Sequence, residues 1–157
     1  MRTRLLTLLC SMLLLLPFFV YADSGGGGSD SPLGNKPDPS EAVSDYDTGY
    51  KHLKAGKYKA AIKAFKRAIK ENPNHAMAYN NMAYSYRKLE QFDEAIALYE
   101  KALAIDPNLA EAHEYMGEAL IAVGRIEDAK KHLAILETLD PKLAEELRTE
   151  ITRRQRS

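Results

Sequence analysis

Cysteine is nearly absent. Cys10 is the only one in 157 residues, and it lies inside an apolar run near the N-terminus, so a disulfide framework or a cysteine-based metal site cannot organise a domain downstream of it. Net charge is absent too: Lys and Arg total 22, as do Asp and Glu. No overall field therefore draws the chain onto nucleic acid or a membrane surface. No Asn-x-Ser/Thr glycosylation acceptor occurs, which is compatible with a bacterial envelope protein. Stability has to come from packed helices.

What the chain does have is a period. Pro73, Pro107 and Pro141 stand 34 residues apart, and the same step links Ala61, Ala95 and Ala129, then Gly49, Ala83 and Gly117, then Phe65, Tyr99 and Leu133. A repeat of this length in a helix-forming sequence implies stacked supersecondary units. Each unit reads as two amphipathic helices. In the middle unit Met82, Tyr86 and Leu89 mark the first, and Ala95, Leu98, Tyr99, Ala102 and Leu103 the second, at steps of three and four residues. Small residues at Ala61, Ala95 and Ala129 let helix backbones approach, and nearby aromatics fill the space that remains. Asn72-Pro73, Asp106-Pro107 and Asp140-Pro141 are expected to end each second helix, because proline disfavours helical geometry in the residue before it and lacks an N–H. Gly56 and Gly124 are expected to break the chain between paired helices, with Glu90 in that place in the middle unit.

Tyr79, Met82, Ala83, Tyr86, Phe92, Ala95, Tyr99, Ala102 and Pro107 fall where a tetratricopeptide repeat carries its large aromatic, Leu, Gly, Tyr, aromatic, Ala, aromatic, Ala and Pro. The chain resembles a three-repeat member of that family, with units at 42–75, 76–109 and 110–143. The resemblance implies an all-α fold, a right-handed α-solenoid of three helix-turn-helix repeats. Beyond them, Leu143, Ala144, Leu147 and Ile151 make one apolar stripe with Glu145, Glu146, Arg148 and Glu150 elsewhere. That pattern predicts a C-terminal capping helix and tail over 144–157. Leu136, where the family usually has Ala, is consistent with a wider joint to the cap.

The N-terminal residues are read as processing and linker segments. Arg2 and Arg4, the apolar run from Leu5 to Val20, and small residues at Val20 and Ala22 predict a signal peptide over 1–22, cleaved before Asp23, and hence an exported chain, periplasmic or secreted. The alternative is an uncleaved membrane anchor, since the run approaches the roughly 20 apolar residues that span a bilayer; Pro17 and the small-residue exit argue against it. Leu9 stands where a lipoprotein signal needs a small residue before its cysteine. Residues 23–41 contain Gly25 to Gly28, several serines, Pro32, Pro37 and Pro39 and read as a disordered linker. No strand precedes the glycines, so they are not a phosphate loop.

Chemistry does not converge anywhere. His52 and His113 hold positions that the repeat gives to Tyr and a large aromatic, which makes them packing residues. His75 lies in an inter-repeat turn, and His132 has no partner at metal-ligand spacing. Glu145 and Glu146 point in different directions on a helix. Catalysis, a metal and a cofactor are therefore not expected.

Binding is the expected role. In the family the first helices line a concave groove, and its binding positions fall here on Val43, Tyr46, Asp47, Tyr50, Leu53 and Lys54, on Met77, Asn80, Asn81, Tyr84, Arg87 and Lys88, and on Glu111, Glu114, Tyr115, Glu118, Ile121 and Ala122. The strongest candidates are Tyr46, Tyr50, Asn80, Asn81, Tyr84, Arg87, Glu111, Glu114, Tyr115 and Glu118, since tyrosines supply flat contact area with polar tips. The family's clamp for C-terminal carboxylates would need Lys, Asn, Asn, Lys and Arg at Tyr46, Tyr50, Asn81, Glu111 and Tyr115, and only Asn81 matches. Glu111, Glu114 and Glu118 instead favour a protein or peptide partner with Lys, Arg or a free amine near the third repeat. Charge is uneven along the chain: the first unit has eight basic and three acidic residues, the third four and seven. These are solvated helix faces, or ends that attract each other or differently charged partners. The competing reading is a homo-oligomer in which Val43, Tyr46 and Tyr50 dock onto another copy.

Overall fold

The computed structural model describes residues 44–156. The signal-peptide and linker readings for 1–22 and 23–41, and Val43, fall outside them. Seven helices follow one another among the described residues: α1 (Asp45–Lys54), α2 (Tyr58–Glu71), α3 (Ala76–Lys88), α4 (Phe92–Ile105), α5 (Ala110–Ala122), α6 (Ile126–Leu139) and α7 (Pro141–Arg156). Each packs on its chain neighbours; α1 also touches α3, α3 touches α5, and α7 lies against both α5 and α6. The first helices of the three units thus form one row, as an all-α solenoid requires. None of the described helices is long and apolar enough to cross a membrane.

The repeated small residues do what their spacing implies. Ala61, Ala95 and Ala129 are fully buried, as are Phe65, Tyr99 and Ala83. Gly49 has no room for more: a Cβ there would sit 2.6 Å from the Phe65 ring. The glycine at the matching place in the third unit answers to a different neighbour, since a Cβ on Gly117 would sit 2.6 Å from Leu147 of the cap. Large against small thus continues from the last repeat into α7. Leu136 is fully buried among Ala144, Leu147 and Ile151, so the bulkier residue fills the joint to the cap. Tyr79, Tyr86 and Leu98 touch both buried clusters and make the core continuous.

The turns follow the sequence closely. Within each unit a left-handed residue ends the first helix: Gly56 at φ 68°, Glu90 at φ 60° and Gly124 at φ 81°. The same bonds recur at each, from Lys57 N–H to the His52 carbonyl, Gln91 to Tyr86 and Arg125 to Leu120, the six-to-one bond of a Schellman cap. Between units, Asn72 Oδ1 accepts from the Asn74 N–H at 3.1 Å and Asp106 Oδ1 from the Asn108 N–H at 3.0 Å, short Asx turns that precede the next helix. The third such site behaves otherwise. Asp140 Oδ1 accepts from the N–H groups of Lys142 and Leu143, and α7 starts at Pro141, ahead of the boundary expected at residue 144. An aspartate cap followed by proline at the first helical position is a helix start in its own right. At the other end Ser44 Oγ caps α1 by accepting from the Asp47 N–H at 3.0 Å.

Candidate functional site

The row α1, α3, α5 encloses a cleft of about 280 Å³. Its floor is one stripe of α3, namely Met77, Asn80, Asn81 and Tyr84, which follow the three- and four-residue steps of a single helix face. One wall is Tyr50, Leu53 and Lys54 of α1, and the other is Glu111 and Tyr115 of α5. Six of the ten candidates therefore meet in one place: Tyr50, Asn80, Asn81, Tyr84, Glu111 and Tyr115.

A chain of hydrogen bonds sets the floor. Asn80 Nδ2 donates to Asn81 Oδ1 at 3.4 Å, and Asn81 Nδ2 donates to the Tyr46 hydroxyl at 3.1 Å. Asn80 is only 2% exposed, and its Oδ1 has no hydrogen-bond partner among the described residues. A buried acceptor without a donor is costly, on the order of 1–3 kcal/mol, but this oxygen is closed off from the cleft, so it is a cost carried by the fold and not a contact open to a ligand. Tyr46 supports this floor and does not line the cleft. Its ring stacks on His75 at 4.6 Å and lies 5.8 Å from Phe65, and burial raises its hydroxyl pKa.

Arg87, Glu114 and Glu118 take other places. Arg87 makes a 2.5 Å ion pair with Glu118, and its guanidinium lies 5.1 Å from the centre of the Tyr84 ring and 5.2 Å from that of Tyr115. It backs the aromatic wall instead of reaching a ligand in the cleft, and holds two rings that are themselves 5.1 Å apart. Arg87 and Glu118 line a separate hollow of about 390 Å³ with Lys88, Glu90, Glu150 and Arg153. Burial pushes the Glu118 carboxyl up while Arg87 pulls it down. Glu114 is 7% exposed; burial, the Glu118 charge and Glu146 of α7 raise its pKa to about 7. The expected face of three carboxylates does not form, because one is paired, one is buried beneath the cap and only Glu111 stays exposed in the cleft. Ile121, also among the family positions, is buried in the core.

His132, expected to lack a partner at metal-ligand spacing, has a hydrogen-bonding one: its Nδ1 lies 2.9 Å from Nδ1 of His113, whose Nε2 is 2.9 Å from the Pro107 carbonyl oxygen. That carbonyl only accepts, so His113 donates to it from Nε2, and a single proton between the two Nδ1 atoms completes the pair. Burial and His113 push the His132 pKa down to about 4. No third metal-ligating side chain joins the pair among the described residues; it ties α5 to α6. A pairing 19 residues apart has no local sequence signature.

Comparison with known proteins accords with this architecture. Residues 46–110 and 86–151 each match a tetratricopeptide repeat profile, and the chain belongs to that family. Among solved structures it is similar to the first tetratricopeptide domain of Spaghetti (RPAP3) bound to the HSP90 peptide SRMEEVD, at 28% identity and a TM-score of 0.66 over 72% of this chain and 91% of that one. The TPR2B domain of yeast Sti1 in its Hsp70 complex gives 29% identity and a TM-score of 0.65 over 68% and 91%. The second such domain of human RPAP3, in complex with the HSP70 peptide SGPTIEEVD, gives 29% and 0.65 over 73% and 94%. No curated protein matches the chain.

Proposed function

We propose that the chain is an exported, non-enzymatic scaffold whose concave cleft receives a peptide segment of a partner protein within an envelope assembly. The observation that carries this reading is the cleft between α1, α3 and α5, where Tyr50, Tyr84 and Tyr115 converge over Asn80 and Asn81 and Arg87 backs the Tyr84 and Tyr115 rings. The rings would supply a bound peptide with contact area at little entropic cost. The peptide-bound structures described above support the use of such a cleft for a peptide. Their acidic peptides are not a guide to the ligand here, because Tyr46, Tyr50, Glu111 and Tyr115 stand where a carboxylate clamp would need Lys, Asn, Lys and Arg. The free carboxylate of Glu111 favours a partner with Lys, Arg or a free amine at that wall. Export rests on the Arg2-to-Ala22 pattern, and a mature chain whose mass starts at Met1 would overturn it.

The binding reading is tested with the partner recovered from the envelope fraction. Tyr84→Ala should weaken it by about 2 kcal/mol or more, as for a central aromatic of an interface, with helix content unchanged. Binding that persists in this variant and disappears when Lys63 and Lys66 are replaced would place the partner on the outer face. Light scattering over a concentration series separates a peptide-binding monomer from a homo-oligomer: a mass that rises with concentration, and a Tyr50→Ala variant that stays monomeric, would favour self-association.

A further inference from the structure

The two walls of the cleft are built alike but carry opposite charges. On α1, Tyr50 and Lys54 lie four residues apart and both line the cleft; on α5, Glu111 and Tyr115 do the same. Residues four apart share a helix face, so each wall presents one ring and one charge, with Leu53 beside them on α1. Between them α3 contributes Met77 and Asn80 and no charge. Lys54 and Glu111 are both exposed, and neither makes an ion pair among the described residues. Arg87, the other cation near these rings, is already neutralised by Glu118. The cleft thus has one unneutralised cation on one side, one unneutralised carboxylate on the other, and an uncharged floor.

On the reading that the cleft binds peptide, we propose that it selects a short bipolar segment. An acidic residue lies against the Lys54 wall, a basic residue against the Glu111 wall, and an apolar residue between them over Met77. A segment with two acids meets Glu111 with like charge, and one with two bases meets Lys54 likewise; each juxtaposition opposes binding.

The test uses the full chain and a set of short peptides with capped ends, which removes terminal charges. They share one Ala- and Leu-based sequence and differ at two positions: acid and base in either order, two acids, or two bases, each at several separations. Fluorescence anisotropy at low salt should rank a mixed peptide about fivefold tighter than either like-charged peptide, a preference that shrinks as salt is added. Lys54→Glu should move the preference to two bases, and Glu111→Lys should move it to two acids. Equal affinity for all peptides, no binding of any peptide, or a preference that these two substitutions leave in place would overturn the proposal. Tyr84→Ala separates the two levels. If it weakens every peptide while the charge preference fails, only the bipolar inference falls; if it changes none of them, the cleft is not the binding site.

Discussion

The carboxyl of Glu114 makes the chain's stability depend on pH in a way that one substitution isolates. The group is buried where α7 covers α5, with Glu118 on its own helix and Glu146 on the cap, and its pKa rises from the ordinary 4.5 to about 7. Folding therefore binds a proton in this window, so the contribution of Glu114 is most favourable near the unfolded value and is lost as pH rises through the folded one. The full shift corresponds to at most roughly 3 kcal/mol. Glu146 is half exposed and paired with Lys142 at 3.7 Å, and solvent screening there reduces the expected loss to about 1–2 kcal/mol. His132 acts in the opposite sense. Its lowered pKa, about 4, means that protonating the unfolded chain erodes stability as pH falls below its ordinary 6.5. The two effects overlap, so the total pH profile is not diagnostic; the difference between wild type and Glu114→Gln is. Urea denaturation followed by circular dichroism should show that Glu114→Gln adds about 1–2 kcal/mol near pH 8 and little near pH 5. A difference that is constant with pH, or a variant less stable at the alkaline end, would show that Glu114 is ionised in the fold and refute the reasoning.

Other substitutions test the packing and the turns. Glu90→Gly should stabilise the chain by about 0.5–1 kcal/mol in the same denaturation assay, because Glu90 holds a φ of 60° that glycine adopts without a Cβ clash; a loss of stability would mean the side chain matters more than the backbone. Gly49→Ala should destabilise by about 1–3 kcal/mol, since the Phe65 ring it would meet at 2.6 Å is itself fully buried and cannot move aside cheaply; an unchanged midpoint would contradict that. Truncation after Asp140 should expose Leu136 and Gly117, lower the unfolding midpoint and promote aggregation; a truncated chain that melts like the full one would show that α7 is not a cap.

The repeat, its turns and its core were legible because each depends on local chemistry: Ala61, Ala95 and Ala129 on helical spacing, Gly56 and Gly124 on positive φ, Asn72, Asp106 and Asp140 on the proline that follows. Even the departure at Glu90 was visible as a break in the pattern. The cleft was legible only through the family's positions, which bring Tyr50, Asn80, Asn81, Tyr84, Glu111 and Tyr115 together. What sequence did not reveal lies between units. Arg87 finds Glu118 from the next first helix, His113 finds His132, and Glu114 is covered by a cap whose start depends on Asp140 acting as an N-cap. These pairings are set by how far one helix is rotated against another, which hydrophobic periodicity leaves loose. The same looseness is why three glutamates on α5 looked like one acidic face, when only Glu111 remains free in the cleft.

The central claim is that partners enter the concave cleft, and site-specific photocrosslinking in intact cells tests it most directly. A benzophenone amino acid in place of Tyr84, on the cleft floor, is compared with the same group in place of Lys63, exposed on α2. The cleft reading predicts a partner adduct from position 84 and none from position 63; an adduct from position 63 with none from 84 would contradict it.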